Sequence, residues 1–416
     1  RAFEILNKGV LALPNDPNLL HALGRAHLEK QAPSDALTHL NKAYEIDQAN
    51  VNIKVDLAQA NYQLGQYGKA FQLLEPFMDR YETNPPLAKL LGHVLLAMNK
   101  EHEAEPLLIF AAKQFPEDLQ TVFAATRVVL DSFETCLEEQ PPDDLDIVQK
   151  ILLEAQPLHR DDPQIKLHLA DIKRLKGDYK DAIKIYSKLS ETAVFEKSRD
   201  NWRLSYGLGQ SATALGDHEM GLAALQEAAT KQPENTTILH ALAEAYQYAE
   251  LDGKAHEIAK SALKMAPQEL QNILWYANFN NKNNQPDEAV KALKEALQIN
   301  PERSELKIWL SKTLISMGAM DESKEIIADL VENDDATSDE LHQAAYICVH
   351  LSEINLAINA LEKAAQFTTG LNLRLLMDLA VAYSLGDQPK KAMETLNLDK
   401  DVIIQNPSIA LLKSDL

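Results

Sequence analysis

The chain has 416 residues, and its hydrophobic content of 45% excludes general disorder. Its 62 acidic and 41 basic residues give a formal net charge of −21, which argues against nucleic acid and anionic lipid as partners because both repel an acidic chain. No apolar stretch approaches the roughly 18 residues of a membrane helix, so direct membrane insertion is not expected. Glycine is scarce, with 14 residues, and apolar and polar residues do not alternate, so the chain is predicted to be all-helical.

The first complete repeat begins at Pro17, whose ring fits the first turn of a helix. Apolar residues three and four apart predict a first helix from about residue 18 to 30, through Leu20 and Leu23, and a second helix through Ala36 and Leu40. The template recurs with a step of 34 residues, and a period of this size indicates a stacked array of similar units. Repeats are predicted to start near residues 17, 51, 85, 119, 163, 202, 236, 270, 304, 338 and 373, after a partial repeat at 1–16.

The period is interrupted at two places. An acidic insertion over residues 131–146, which contains Pro141 and Pro142, predicts a lengthened first helix followed by a protruding acidic loop. A second excess of residues lies near 192–201. Neither is long enough for a domain boundary, so we expect a single solenoid over 1–416. The chain begins inside a second helix, and residues 407–416 have the pattern of another first helix, so it is expected to be a fragment of a longer chain.

Small and apolar residues also recur at fixed places in the second helices, as in Ala289-x3-Leu293-x2-Ala296 followed by Pro301. This pattern resembles the tetratricopeptide repeat (TPR), whose signature has a small residue in the first helix and A-x3-F/L-x2-A…P in the second. The resemblance covers essentially the whole chain. It implies an all-α fold, a right-handed TPR superhelix (α-solenoid) of helix–turn–helix repeats. It also implies that the first helices line a concave groove, which holds an extended peptide or a partner helix.

No catalytic or metal-binding motif is found. Gly207, Gly209 and Gly216 fall on the ordinary small-residue and turn positions of the repeat, without the strand that a phosphate loop needs before it. The histidines form no HxxxH pair and the two cysteines, Cys136 and Cys348, no CxxC pair. We therefore predict that the chain is not an enzyme and holds no cofactor and no metal.

The candidate binding residues lie on the first helices, away from the buried stripe, where the resemblance places the groove. Two readings stay open for each group of them. The basic residues near the N-terminus suit an acidic or carboxylate-bearing segment or form a solvated face, and the tryptophans are a binding hot spot or pack between repeats. The predicted partner-binding residues are His21, Arg25, Gln59, Lys89, His93, Arg127, Arg203, Tyr206, Gln210, Trp275, Asn278, Trp309, Lys312 and Tyr346.

The predicted function is a non-catalytic interaction scaffold, with protein or peptide segments as partners and no nucleic acid. Two alternatives stay open. The chain is the recruiting arm of a larger enzyme, or it is a periplasmic scaffold of a polysaccharide-export or envelope-assembly system. The cytoplasm is favoured over the periplasm as its compartment, and the oligomeric state is not predicted.

Overall fold

The computed structural model describes residues 2–135, 143–160, 162–192, 201–367, 372–397, 408 and 411–413. All regular secondary structure within these ranges is helical. The chain divides into two compact units, unit 1 over Arg1–Lys231 and unit 2 over Gln232–Leu416. Each unit is a series of helix pairs, in which the first and second helix of a pair lie against one another.

The described residues of unit 1 form thirteen α-helices, and a 3-10 segment, Glu75–Thr83, follows the fifth. The α-helices are α1 (Ala2–Ala12), α2 (Pro17–Glu29), α3 (Pro33–Ile46), α4 (Val51–Gln63), α5 (Tyr67–Leu74), α6 (Pro85–Ala97), α7 (Glu101–Gln114), α8 (Leu119–Thr135), α9 (Asp143–Ala155), α10 (Pro163–Leu175), α11 (Tyr179–Ser190), α12 (Asn201–Ala214) and α13 (His218–Lys231).

Unit 2 continues the same alternation of first and second helices. Its helices are α14 (Thr236–Tyr248), α15 (Asp252–Met265), α16 (Leu270–Lys282), α17 (Pro286–Ile299), α18 (Ser304–Ser316), α19 (Met320–Glu332), α20 (Ser338–His350), α21 (Ile354–Phe367), α22 (Leu373–Leu385) and α23 (Pro389–Thr395).

Local chemistry explains where the helices start and turn. Asp16 caps α2, accepting hydrogen bonds from the backbone N–H of Asn18 at 2.8 Å and of Leu19 at 3.1 Å. In the described turns between first and second helices, one residue adopts a positive φ of 55° to 82°, which ends the first helix and reverses the chain. Gly216, with φ 81°, is one of these residues, so it has the turn role expected from the sequence.

The small residues of the first helices make room for the leucines of the second helices. A Cβ atom at Gly24 would lie only 2.5 Å from Cγ of Leu40, and one at Gly209 would lie 2.5 Å from Cγ of Leu225. Both leucines are completely buried. The 34-residue period is therefore a packing period, in which a glycine or alanine lets the two helices of a pair approach closely.

The first interruption of the period is helical on both sides. Helix α8 has 17 residues where α2, α4 and α6 have 13, so the first helix is lengthened as expected. The predicted acidic loop is wrong for residues 143–146, which form the first turn of α9. Acidic side chains are favourable in a first turn because they interact with the positive end of the helix dipole. The rest of that loop, 136–142 with Cys136, lies outside the described residues, as do 193–200 of the second excess and most of 407–416.

Candidate partner-binding surface

The first helices of successive repeats lie side by side within each unit. Contacts join α2 to α4, α4 to α6 and α6 to α8 in unit 1, and α16 to α18 and α18 to α20 in unit 2. Their side chains turned away from the second helices form a surface that we call the first-helix face. All of the predicted binding residues come from these helices.

At the start of unit 1, the predicted cations contact an acid of the next repeat. His21 Nε2 lies 2.6 Å from Asp56 Oδ2, and Arg25 Nε lies 3.6 Å from the same oxygen. Asp56 stands on α4 while both basic residues stand on α2. The positive charge expected here from the sequence is thus largely compensated across the repeat boundary.

A cleft of about 410 Å³ brings together Gln59, Lys89 and His93 of the predicted set. The Lys89 ammonium bonds to the Asp118 carboxylate, and His93 Nε2 lies 3.0 Å from the Thr121 hydroxyl. Burial lowers the pKa of His93, so the imidazole is neutral at neutral pH. The remaining lining residues are Val55, Asp56, Tyr62, Pro86, Leu90, Phe115, Glu117, Asp118 and Gln120. Lys89, His93 and Asp118 in this cleft therefore already have partners within the protein.

The next part of unit 1 contains a buried ionic cluster, formed by Glu134, His168, Asp171, Arg174 and Tyr186. The Arg174 guanidinium bonds to the Glu134 carboxylate, and the Tyr186 hydroxyl donates to Asp171 Oδ1 at 2.6 Å. Burial raises the pKa of Asp171 to about 6 and lowers that of His168 to about 3. Taking these charges out of water is costly unless they are paired, so the cluster holds α8, α10 and α11 in one arrangement.

Three predicted binding residues adjoin this cluster. Gln210 accepts a hydrogen bond from Arg174 and donates one to the Tyr206 hydroxyl at 2.9 Å. Arg203 Nη2 lies 3.5 Å from Asp131 Oδ1. Both Arg203 and Tyr206 are buried. Arg127, by contrast, is exposed on α8. Burial raises the pKa of Asp131, and the charges of Arg203 and Arg127 oppose this rise.

Sequence reasoning missed the cluster, although a signal was present. Tyr186 occupies the second-helix position that holds leucine in most repeats, such as Leu40 and Leu225. Opposite it stands Gly207, where a Cβ atom would lie 2.3 Å from Cζ of Tyr186. A large ring at the leucine position, paired with a glycine in the next first helix, marks the irregular core.

In unit 2, Trp275 is buried between two first helices. Its ring stacks on His240 with centroids 3.8 Å apart and planes 8° apart, and Nε1 donates to Glu244 Oε1 at 3.2 Å. Burial lowers the pKa of His240 to about 4 and raises that of Glu244. Trp275 therefore packs between repeats, and its edge borders a cleft of about 360 Å³ together with Asn278, Tyr248 and other residues.

The remaining predicted residues, Trp309, Lys312 and Tyr346, are more accessible. Trp309 is half-buried and Lys312 is exposed. Tyr346 is 45% exposed, and its hydroxyl donates to Asp378 Oδ2 at 2.7 Å. The structure thus places the fourteen predicted residues in several separate groups along the two units rather than in one site.

Within the described residues, no group of three His, Cys, Asp or Glu side chains is arranged to hold a metal ion. None of the helices described is both long and apolar enough to cross a membrane.

Family models match three stretches of the chain. A tetratricopeptide repeat model matches residues 169–236, a second one matches 280–345, and the model for anaphase-promoting complex, cyclosome, subunit 3 matches 29–111. The chain belongs to the tetratricopeptide repeat family. The all-α TPR architecture predicted from the sequence is confirmed, and TPR arrays are protein-interaction or binding scaffolds.

Among curated proteins, the TPR repeat-containing protein YpiA of Bacillus subtilis is 20% identical over 296 residues, which are 70% of this chain and 65% of that protein. Among solved structures, the APC/C hetero-tetramer Cut9–Hcn1 aligns with 99% of this chain and 86% of its own at 16% identity and a TM-score of 0.40. The human IFIT1 dimer with m7Gppp-AAAA aligns with 94% and 92% at 16% identity and a TM-score of 0.38. The TPR chain spans just under two thirds of its curated relative.

Proposed function

We propose that this TPR protein is a non-catalytic scaffold that binds an extended or helical segment of a partner protein on its first-helix face. One observation carries the proposal. Clefts of about 410, 360 and 400 Å³ lie between the first helices of neighbouring repeats. Repeated clefts on one face suit a ligand that follows the repeats, because many modest contacts then add on a preorganised surface.

The polar groups of this face support a binding role rather than a catalytic one. His21 contacts Asp56 at 2.6 Å, and His342 Nε2 contacts Asp378 Oδ2 at 2.7 Å. In both pairs the histidine and the carboxylate come from successive first helices, so these groups join repeats to each other. A general base would need its proton-accepting atom directed at a bound substrate.

The partner is a protein segment that includes acidic residues, and nucleic acid and membranes are not partners. The net charge of −21 supports the second part, since phosphate backbones and anionic lipids would be repelled. Exposed Arg127 and Lys312 support the first part, because each offers a cation for a carboxylate.

Two variants of the full chain test the proposal. Arg25→Ala with Arg127→Ala changes the face of unit 1, and Trp309→Ala with Tyr346→Ala changes that of unit 2. Proteins captured from native extract by the wild type are identified by mass spectrometry, and their binding to each variant is then measured with purified components. We expect at least one variant to lose a partner.

A matched control alters the second helices, with Lys260→Glu and Met265→Ala on exposed positions of α15. Circular dichroism confirms that every variant is folded. Retention of all partners by both first-helix variants, together with loss in the α15 variant, would place binding on the second helices and refute the proposal.

A further inference from the structure

Lys312 differs from Arg25 and Lys89 in what surrounds it. Its Nζ donates to Gln343 Oε1 at 3.3 Å and lies 6.0 Å from the centroid of the Trp309 ring. Among the residues that the structure describes, no carboxylate pairs with this ammonium within 4.0 Å. Arg25, at the equivalent position of the first complete repeat, and Lys89, on another first helix of unit 1, both contact an aspartate.

An apolar cleft lies directly beside this cation. It has a volume of about 400 Å³ between α18 and α20, and its lining residues are Lys312, Ile315, Gln343, Tyr346, Ile347 and His350. Ile347 is buried and Ile315 half-buried, so a side chain entering the cleft would meet aliphatic carbon at its base. This volume accepts a leucine, methionine or phenylalanine side chain, whose burial contributes about 1.5–3 kcal/mol.

Tyr346 forms a fixed wall of this cleft. Its hydroxyl donates to Asp378 Oδ2 at 2.7 Å, and its ring stacks on His342 with centroids 5.3 Å apart and planes 19° apart. The ring also borders a smaller cavity of about 100 Å³, which Val349, Val381 and other residues line. A wall held by its neighbours needs no ordering when a ligand binds, which favours affinity.

We propose that Trp309, Lys312, Gln343 and Tyr346, the α18–α20 anchor, bind a partner segment in which an Asp or Glu carboxylate stands next to a large apolar side chain. The carboxylate bonds to Lys312 Nζ, and the apolar side chain enters the cleft between Ile315 and Tyr346. The proposal rests on the proposed function and adds the position and the chemistry of the ligand.

Charge complementarity indicates that the ligand group beside Lys312 is negatively charged. The chain has 62 acidic residues and supplies carboxylates to cations of its first helices such as Arg25 and Lys89, whereas Lys312 faces an amide and an indole ring. A partner carboxylate would gain a bond to an ammonium that lacks one, without breaking an internal ion pair. At Lys89 the same ligand would first have to displace Asp118.

Selection from a library of short random peptides, displayed with their C-termini fused to a carrier, tests the anchor. The fusion removes free terminal carboxylates, so only side-chain carboxylates of the peptides can contribute to binding. We expect the peptides selected by the full-length wild type to share an Asp or Glu next to Leu, Met, Phe or Trp. Amidated synthetic versions are then titrated by fluorescence anisotropy against variants of the full chain.

Lys312→Glu should weaken these peptides by about 5- to 10-fold, because an attraction becomes a repulsion at a partly exposed site. Lys260→Glu, the same charge change on the exposed side of α15, should leave the affinity unchanged. Replacing the peptide carboxylate by its amide should weaken binding to the wild type and have little effect on Lys312→Glu. Tyr346→Ala should also weaken binding, and Tyr346→Phe, which keeps the ring, much less.

The outcomes separate this inference from the proposed function. Peptides that bind equally to Lys312→Glu but are lost with Arg25→Ala and Arg127→Ala refute the anchor and keep binding on the first-helix face. Peptides enriched in Lys or Arg also refute it. Peptides that bind every first-helix variant equally, and that are lost in the α15 variant, refute both.

Discussion

Two cations on the first-helix face of unit 1 differ from one on that of unit 2 in what they contact. In unit 1, Arg25 lies 3.6 Å from Asp56 and Lys89 bonds to Asp118. In unit 2, Lys312 faces Gln343 and an indole ring. A basic residue at a predicted groove position therefore does not by itself make a basic site, because the next repeat can supply the counter-charge.

The two units also differ in the side chains that they bury. Unit 1 buries ionised groups around Arg174 and Asp171 where the 34-residue period is interrupted. Unit 2 keeps the period through the repeats that start near 236, 270, 304 and 338, and it buries an aromatic stack of His240, Trp275 and Phe279 instead. The buried ionic cluster thus coincides with the irregular spacing of unit 1.

The largest effect is expected from breaking the buried ionic cluster. Arg174→Met removes the cation and leaves Glu134 and Asp171 buried without it, which should lower the stability of unit 1 by about 3–5 kcal/mol. Urea unfolding gives the total effect, and hydrogen exchange with mass spectrometry locates it in α8, α10 and α12. Arg127→Met, the same change at an exposed arginine of α8, should cost less than about 0.5 kcal/mol. Equal losses in the two variants would show that Arg174 has no special role.

The second prediction concerns pH and unit 2. The folded-state pKa of His240 is lowered to about 4 from its ordinary 6.5, so the unfolded chain binds the proton more readily. The stability contributed by neutral His240 is present above pH 6.5 and is lost as the pH falls towards about 4. The loss approaches roughly 1.4 kcal/mol per pH unit in this window.

His240→Gln removes this proton-binding site and keeps a hydrogen-bonding side chain near Asn272. The stability of the wild type relative to His240→Gln should therefore fall between pH 6.5 and about pH 4, whatever Glu244 and other acids do in both proteins. Urea titrations at several pH values measure the difference. A difference that does not change with pH would mean that His240 is protonated equally in the folded and unfolded chain.

The third prediction tests the glycine opposite the irregular core. A Cβ atom at Gly207 would lie 2.3 Å from Cζ of fully buried Tyr186, so Gly207→Ala should destabilise unit 1 by about 1–3 kcal/mol. Gly253→Ala in α15, where nothing lies within 4 Å, should stabilise the helix by up to about 1 kcal/mol. Thermal unfolding compares the two variants. Adding Tyr186→Leu should relieve the clash, so a double variant with strictly additive losses would contradict the packing argument.

Much of the fold could be predicted from the sequence, because helix pairs repeat their local signals. Pro17, Val51 and Pro85 begin both the predicted repeats and the observed first helices. Gly24 and Leu40 meet as their spacing requires. Each of these signals acts within one repeat, so neighbouring residues are enough to interpret it.

The candidate binding residues were harder to predict, because their charge and exposure depend on contacts with side chains about one repeat away in sequence. His21 and Asp56 are 35 residues apart in sequence, and His342 and Asp378 are 36 apart. Such pairs become visible only when two positions of the repeat are compared, because no local signal marks either partner. Trp275 and Trp309 occupy the same position in their repeats. That position alone therefore did not show that Trp275 is buried while Trp309 remains partly accessible. The assignment of the binding residues stays a prediction.

The smallest effect on stability is expected from replacing single lysines of the first-helix face, one with a carboxylate partner among the described residues and one without. Lys89 bonds to Asp118 and Lys312 lacks a carboxylate partner in the described part of the chain. Lys89→Gln should therefore lower the stability by about 0.2–1 kcal/mol, whereas Lys312→Gln should change it by less than about 0.5 kcal/mol in either direction.

Salt makes this difference measurable. Raising the ionic strength from about 0.01 M to about 1 M shortens the Debye length from roughly 30 Å to 3 Å, so the effect of Lys89→Gln should shrink while that of Lys312→Gln stays constant. Urea unfolding at both salt concentrations provides the comparison. A large, salt-dependent loss in Lys312→Gln would show that this lysine already stabilises its own chain, and it would then be no more available to a partner than Lys89.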